Sequence, residues 1–284
     1  MEAPASDAQA QADSTALAEA AGLEAPASER PPAVLEPDTP FSYLSSGVLW
    51  GLGLAWLVPM MGLQMVMHRL VGPPRMQWLE RIYTRGQVAA ALCRWRAEVH
   101  PDIAPDRPYL FFQNHVNHLD HCTMYPATPH FKQGVELDEH FSYPIYGAFM
   151  RSRGTIPVSR GSRKGLGLMM RRMREEVAAG HSLLVFPEGT RTLTGHLGEL
   201  QPGVFRIAVQ LGVPIVPVTV TGMYRVMRKG SYLIRPGHRV TVYCDAPIET
   251  AGLSRDDVPR LMEQVRDVMQ GRLDAYWREN GAQS

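Results

Sequence analysis

The distribution of apolar residues divides the chain into three stretches of different character. Residues 1–40 are rich in alanine, proline and glutamate, and no aromatic residue precedes Phe41. Residues 47–67 form a run without a single charge, and from about residue 101 short apolar runs alternate with amphipathic stretches. The pattern predicts a disordered acidic tail over 1–40, a membrane-associated helical segment over 41–100 and an α/β domain over 101–284.

Strand-like and helix-like stretches alternate throughout the predicted domain. Apolar runs predict strands over 109–113, 156–158, 182–186, 214–221 and 239–244. Helical periodicity predicts helices over 163–179, 203–211 and 257–277. Gly180 and Gly212 follow the first two of these helices, as expected for helix C-termini. The alternation predicts an α/β fold in which helices flank a layered mixed sheet.

The uncharged run over 47–67 is long enough to cross a membrane. As a straight helix it would measure about 31 Å, close to a bilayer core of about 30 Å. Positive residues follow it, beginning with His68 and Arg69, and favour a cytoplasmic position for the domain behind them. Pro59 removes a helix hydrogen bond, so we prefer two half-helices dipping into one leaflet. A full crossing and an ordinary buried helix are the alternatives.

A second helix is predicted directly after this run. Apolar residues recur near helical spacing over 76–99, and arginines lie between them. A core-facing helix with a solvated face and a helix on the membrane surface both fit this pattern. Glu80 and Glu98 dilute the positive charge, which favours the core-facing helix.

The net charge of +1 conceals an uneven distribution. Residues 1–40 carry eight acids and one base, whereas residues 41–284 carry 28 bases and 20 acids. A moderately basic body suits phosphates, acidic lipid surfaces or anionic carriers, but this bias is too weak to indicate nucleic acid as a partner. The three cysteines are far apart, which excludes a disulfide framework and a cysteine-based zinc site.

The first candidate site follows the predicted strand over 109–113. His115 is suited to general base catalysis, and Asp120 can return to its imidazole if the segment turns into a helix. A carboxylate there would fix the tautomer, as in a catalytic triad. Residues 114–121 contain no serine or cysteine, so a substrate hydroxyl is the expected acceptor. His118 and His121 leave a metal site or a purely structural histidine cluster as alternatives.

A second candidate site follows the predicted strand over 182–186. Gly189 allows close approach of the backbone, and Arg191 offers a planar fork that suits phosphate. Glu188 lies between the predicted strand and these two residues, where it would orient an arginine or a substrate hydroxyl. Taken alone, the segment also fits an ordinary turn with a surface ion pair.

Two further segments complete the set. Residues 154–160 end a predicted strand on Arg160. Residues 213–218 are apolar, and Pro214 and Pro217 predict an edge strand or an irregular sheet terminus there.

The four segments, taken in order, resemble the blocks of the 1-acylglycerol-3-phosphate acyltransferase family, within the glycerolipid acyltransferases. Asn114, His115 and Asp120 match the first block, and residues 186–191 match the Phe-Pro-Glu-Gly-Thr-Arg block without a break. Residues 154–160 and 213–218 match the other two. The resemblance covers roughly residues 105–250 and not the acidic tail.

The resemblance implies a glycerolipid acyltransferase-like fold in which the His115–Asp120 pair activates an acceptor hydroxyl. It implies an acyl thioester donor, no covalent acyl-enzyme, and neither a metal nor a prosthetic group. It also implies a set of residues that binds the substrate and its phosphate: Arg160, Glu188, Gly189, Thr190 and Arg191.

The implied reaction transfers a fatty acyl group from acyl-CoA or acyl carrier protein to the sn-2 hydroxyl of lysophosphatidate, giving phosphatidate on the cytoplasmic side of a membrane. Asn117 stands where many relatives have serine, and Gln201 stands where many have lysine, which leaves the acceptor open. Another lysolipid, such as a lyso-ornithine lipid, is the nearest alternative. A non-catalytic lipid-binding protein and a metal-dependent lipid hydrolase are alternatives of other classes.

Overall fold

One mixed sheet organises the fold. The computed structural model describes residues 38–159 and 163–280. The strands are β1 (Arg94–Val99), β2 (Leu110–Gln113), β3 (Lys132–Leu137), β4 (Ile156–Val158), β5 (Ser182–Val185), β6 (Ile215–Thr221) and β7 (Arg239–Cys244). Their order is β1-β7-β6-β2-β5-β3-β4, and only the β6–β7 pair is antiparallel among these neighbours. The predicted tail over 1–40 lies outside the described residues except for its last three.

Helices flank this sheet, as predicted. The α-helices are α1 (Pro40–Val71), α2 (Gln77–Ala90), α3 (Asp120–Met124), α4 (Pro144–Arg153), α5 (Arg163–Ala178), α6 (Pro202–Leu211), α7 (Met223–Val226) and α8 (Val258–Asn280). Short 3₁₀ turns cover Pro73–Met76, Asp138–Ser142 and Arg255–Asp257. Every strand and helix predicted within 101–284 is present, with bounds within a few residues of the prediction. Strand β3 was not predicted.

The prediction of one helix over 76–99 is wrong beyond Ala90. The chain reverses at Leu92, which has a positive φ of 52°, and then forms β1. Strand β1 pairs with β7 in parallel, with Trp95 opposite Val240 and Ala97 opposite Val242. Apolar and charged residues alternate along β1, which is the period of a strand, but no glycine or proline marks the end of α2.

The two prolines of the segment 213–218 do not mark a sheet edge. Strand β6 lies inside the sheet, between β2 and β7. The paired residues of β6 and β7 begin at Val218, opposite Cys244, so Pro214 and Pro217 precede this ladder. Because proline lacks an N–H donor, it is tolerated where its strand does not need that donor for pairing. The prediction of an edge strand is therefore wrong: Pro214 immediately precedes β6, and Pro217 lies opposite Phe112 of β2, just before the ladder with β7 begins.

Helix α1 runs without a break through Pro59, so the predicted division into two half-helices is wrong. Thr39 and Ser42 form a capping box at its start. Trp56 Nε1 donates to Tyr83 O at 2.9 Å, and Gln87 Nε2 donates to Gly53 O at 3.3 Å. Both hydrogen bonds attach α1 to α2 on the N-terminal side of the proline.

Of the described helices, α1 alone has the length and composition to cross a membrane. Its most apolar window has a mean hydropathy of 1.5 and is only 22% buried, so it is not an ordinary core helix. Exposed apolar side chains include Leu44, Val48 and Leu52.

The middle of the sheet positions the candidate chemistry. Strands β2, β5 and β6 are completely buried, and the Phe112 ring packs edge-on against Phe205 of α6 at 5.1 Å. Because β2 and β5 are parallel neighbours, their carboxyl ends meet at the same edge of the sheet. Both principal candidate segments begin at this edge, directly after β2 and β5.

A buried ion pair joins α4 to α2. Arg153 Nε lies 2.5 Å from Glu80 Oε1, and both side chains are less than a tenth exposed. The same guanidinium donates to Gln133 Oε1 at 2.7 Å and to Lys132 O at 2.6 Å. Each nitrogen of the guanidinium thus has a partner within the protein, and removing the carboxylate alone would leave a buried cation unpaired.

We therefore expect Glu80→Gln to lower the free energy of unfolding by about 3 kcal/mol, because it leaves Arg153 without its counter-charge. The measurement is thermal or urea unfolding of the purified protein in detergent. Glu175→Gln is the matched control, since Glu175 pairs with the exposed Arg171 at 3.7 Å, and it should cost no more than about 0.5 kcal/mol. Equal effects of the two substitutions would contradict the structural role of the buried pair.

Candidate active site

The turn after β2 brings His115 and Asp120 together, as predicted from their spacing. His115 Nδ1 lies 2.7 Å from Asp120 Oδ2. That same oxygen accepts the backbone N–H groups of Val116 at 2.6 Å and Asn117 at 2.9 Å. Asp120 is 1% exposed and begins α3, so the backbone of the turn itself holds the carboxylate in place.

This contact fixes the protonation pattern of the imidazole. A carboxylate only accepts hydrogen bonds, so Nδ1 carries the proton and donates it to Asp120. In the neutral imidazole, Nε2 is then the nitrogen without a proton and can act as the base. The ring stacks on Phe186 at a centroid distance of 4.0 Å, and the His115 side chain is 23% exposed. The arrangement supplies a general base with a fixed tautomer that remains accessible to a substrate.

The segment after β5 contacts the back of this turn through Glu188. Its Oε1 accepts the backbone N–H of His115 at 2.6 Å, and its Oε2 accepts the N–H of Gly198 at 2.7 Å. Burial raises the pKa of Glu188 to about 7, although both hydrogen bonds oppose that rise. Glu188 was predicted to contact substrate or an arginine. Glu188 is instead only 4% exposed, and both of its oxygens accept backbone N–H groups. The carboxylate therefore supports the backbone of His115.

Two glycines are required for this geometry. Gly189 has a φ of +65°, in the left-handed region, and its N–H donates to Phe186 O at 3.0 Å. A Cβ at Gly198 would lie 2.6 Å from Glu188 Oε2, so only glycine allows the backbone this close to the carboxylate. Gly189 therefore shapes the turn through its backbone conformation.

Thr190 and Arg191 lie at the outer side of the same turn. Arg191 Nη1 is 2.8 Å from His118 Nε2, which must accept because the guanidinium only donates. Desolvation and the charge of Arg191 lower the pKa of His118, in keeping with a neutral imidazole. The N–H of Thr192 donates to His115 O at 2.7 Å, which joins this turn to the first. Arg160, the remaining predicted phosphate ligand, lies outside the described residues.

The three histidines of the first segment do not converge. His118 turns towards Arg191, whereas His121 Nε2 lies 3.3 Å from Cys122 Sγ and its ring packs on Tyr125. Over the described ranges, no group of three His, Cys, Asp or Glu side chains is placed to hold a metal ion.

Sequence reasoning missed three contributors to the site. Asn117 was noted only as a departure from relatives, but its Nδ2 donates to Met223 O at 3.2 Å and Met227 O at 2.9 Å. Lys229 Nζ donates to Thr190 Oγ1 at 3.0 Å and to Arg191 O at 3.1 Å. The third is the ring of Phe186 beneath His115. No spacing rule could have linked Lys229 to a turn nearly forty residues earlier in the chain.

The region that contains this site is similar to known proteins. Residues 96–221 match the family model described as Acyltransferase. The chain is 34% identical over 143 residues to a chloroplastic 1-acyl-sn-glycerol-3-phosphate acyltransferase of Brassica napus, covering 50% of this chain and 41% of the relative. It is 25% identical over 240 residues to a 1-acyl-sn-glycerol-3-phosphate acyltransferase of Limnanthes alba, covering 84% and 82%. The chain thus spans about two fifths of the Brassica relative.

The fold also matches a solved structure. The crystal structure of the 1-acyl-sn-glycerophosphate acyltransferase of Thermotoga maritima superimposes with a TM-score of 0.71. The match covers 83% of this chain and 95% of that one at 20% identity, which establishes the fold. The His115–Asp120 turn and the segment 186–191 both lie within the range that the family model matches. The chain thus matches the Acyltransferase model over residues 96–221 and is similar to proteins named 1-acyl-sn-glycerol-3-phosphate acyltransferases.

Proposed function

We propose that the protein is a membrane-associated O-acyltransferase acting on 1-acylglycerol 3-phosphate. It would transfer a fatty acyl group from acyl-CoA or acyl carrier protein to the sn-2 hydroxyl, giving phosphatidate. The observation that carries the proposal is the 2.7 Å contact between His115 Nδ1 and Asp120 Oδ2, which leaves the other ring nitrogen basic. The names of the relatives support the acceptor.

In this reaction His115 Nε2 takes the proton of the acceptor hydroxyl while the oxygen attacks the thioester carbonyl carbon. Asp120 stabilises the imidazolium that forms. The tetrahedral intermediate then collapses, the C–S bond breaks, and the leaving thiolate takes the proton from His115. The reaction therefore needs no covalent acyl-enzyme. In keeping with this, no serine or cysteine of the described residues hydrogen-bonds the His115 side chain.

The acceptor phosphate would lie at the outer side of the second turn. Arg191 presents its guanidinium there, next to the exposed Thr190. A guanidinium can donate two parallel hydrogen bonds to phosphate oxygens. Arg160 is proposed as a second ligand from the sequence pattern alone.

The lipid acceptor and product imply contact with membrane lipid. Helix α1 is apolar and mostly exposed, and α2 adds the exposed side chains of Trp78 and Ile82. Exposed apolar side chains on neighbouring helices suit burial in lipid. The positive residues at the end of α1, including Arg69, support a cytoplasmic position for the site.

Replacing the base should abolish turnover without unfolding the protein. We expect His115→Ala to lower kcat by about 10²–10⁴-fold, the usual cost of losing a general base. The assay is acyl transfer from acyl-CoA and from acyl carrier protein to lysophosphatidate in mixed micelles. His121→Ala is the control and should retain most activity, since His121 lies away from the dyad. A loss as large for His121 as for His115 would favour a metal site instead.

Substituting Glu188 tests whether this residue positions the backbone of His115 or contacts the substrate. An amide nitrogen cannot accept an N–H, so Glu188→Gln loses one of its two backbone hydrogen bonds. We expect kcat to fall by about tenfold, the equivalent of one such bond, with an unchanged KM for the acceptor. Glu199→Gln, an exposed position on the same segment, should leave both constants unchanged. A rise in KM with constant kcat would show that Glu188 contacts substrate.

Arg191→Lys keeps the charge but loses the planar fork. We expect the KM for lysophosphatidate to rise by about tenfold, as for one lost charge-assisted hydrogen bond. The KM for monoacylglycerol, which lacks a phosphate, should stay the same. Equal losses on both acceptors would indicate that Arg191 has a structural role or that the true acceptor carries no phosphate.

A further inference from the structure

Lys229 places a second cation on the turn that carries Arg191. Its Nζ lies 3.0 Å from Thr190 Oγ1 and 3.1 Å from Arg191 O, and the residue is half-buried. It follows α7, in a segment that the sequence analysis assigned to no site. Its ammonium has three donors, and these two contacts leave one for a further acceptor.

The start of this segment is fixed by the catalytic turn. Asn117, which lies between His115 and Asp120, is 1% exposed. Its Nδ2 donates to Met223 O and Met227 O, the second only two residues before Lys229. The turn that holds the base therefore also holds the beginning of the segment that carries this lysine.

The other end of the segment is fixed by α1. Trp50 Nε1 donates to Tyr232 O at 2.7 Å, and the N–H of Ile234 donates to Ser46 Oγ at 2.9 Å. Asp38, just before α1, forms ion pairs with Arg228 and Arg235. Lys229 therefore belongs to a clamped segment, unlike a lysine on a free surface loop.

The charges at this turn are uncompensated. Across residues 38–159 and 163–280, neither Arg191 nor Lys229 forms an ion pair with a carboxylate, whereas the neighbouring Arg228 is paired with Asp38. Two cations on one turn attract an anion, and a dianion satisfies both at once. A phosphate monoester such as that of lysophosphatidate carries close to two negative charges at neutral pH, whereas a phosphodiester carries one.

We infer that Lys229 binds the acceptor phosphate together with Arg191 and selects phosphate monoesters over phosphodiesters. The inference rests on the proposed function and names a residue that determines specificity within it. The positively charged pair matches the charge of the monoester, and Thr190 Oγ1 and Arg191 O hold the ammonium on the turn that carries the guanidinium. A lysophospholipid with a choline headgroup would offer one charge and a bulky cation to the same pair.

The test compares acceptors and variants of the full-length protein in mixed micelles. The wild type is first assayed with lysophosphatidate, lysophosphatidylcholine and monoacylglycerol. No preference for lysophosphatidate would overturn the proposed function itself. Given that preference, we expect Lys229→Met to raise the KM for lysophosphatidate by about tenfold, for the loss of one charge-assisted hydrogen bond. The kcat and the KM for monoacylglycerol should be unchanged.

Two further variants separate phosphate binding from a structural role. Lys229→Arg should recover most of the affinity for lysophosphatidate, because it restores a cationic donor. Arg171→Met, which removes one charge from an exposed side chain of α5, should leave every constant as in the wild type. A lower kcat on all acceptors, no rescue by arginine, or an unchanged KM in Lys229→Met would each overturn the inference while leaving the proposed function intact.

Discussion

The carboxylate of Glu188 is the contact on which the site depends. It accepts one backbone N–H from the turn after β2 and one from the segment after β5, so it sets the distance between the two. Parallel pairing of β2 and β5 brings these turns to one edge, but pairing alone does not fix how they face each other. The buried Glu188 carboxylate fixes this orientation by accepting two backbone N–H groups. Its burial carries a desolvation cost, which is evident in its raised pKa.

Much of this arrangement could be predicted because local signals were strong. The strands predicted over 109–113 and 182–186 placed both segments at strand ends, and the five-residue spacing of His115 and Asp120 suited a turn into a helix. The roles of Glu188 and Lys229 could not be predicted in the same way. Each depends on backbone groups or turns distant in sequence, and a glutamate before glycine reads equally well as a surface ion pair. Strand β1 was hidden because α2 ends without a recognisable stop.

Helix α1 has two relations to the domain that composition alone did not suggest. Its exposed apolar side chains suit lipid, while Ser46 and Trp50 bind the backbone of the segment that carries Lys229. The hydrogen bond from the Trp50 N–H to a carbonyl is a directional contact, so a shift of α1 would move that segment. Helix α1, which is proposed to contact the membrane, is therefore hydrogen-bonded to the segment that is proposed to bind the phosphate.

The charges of the site are sorted by depth. Asp120 and Glu188 are buried and held by backbone N–H groups, whereas Arg191 and Lys229 are partly exposed. The buried negative charge is thus available to stabilise the imidazolium, and the more exposed positive charge remains for an anionic acceptor. The burial of Glu188 has its own consequence for stability. Because its pKa rises from 4.5 to about 7 on folding, the native protein binds more protons than the unfolded chain between these values. The contribution of Glu188 to the free energy of unfolding therefore falls as the pH rises through that window. The ionised carboxylate thus positions the backbone of His115 at the expense of stability.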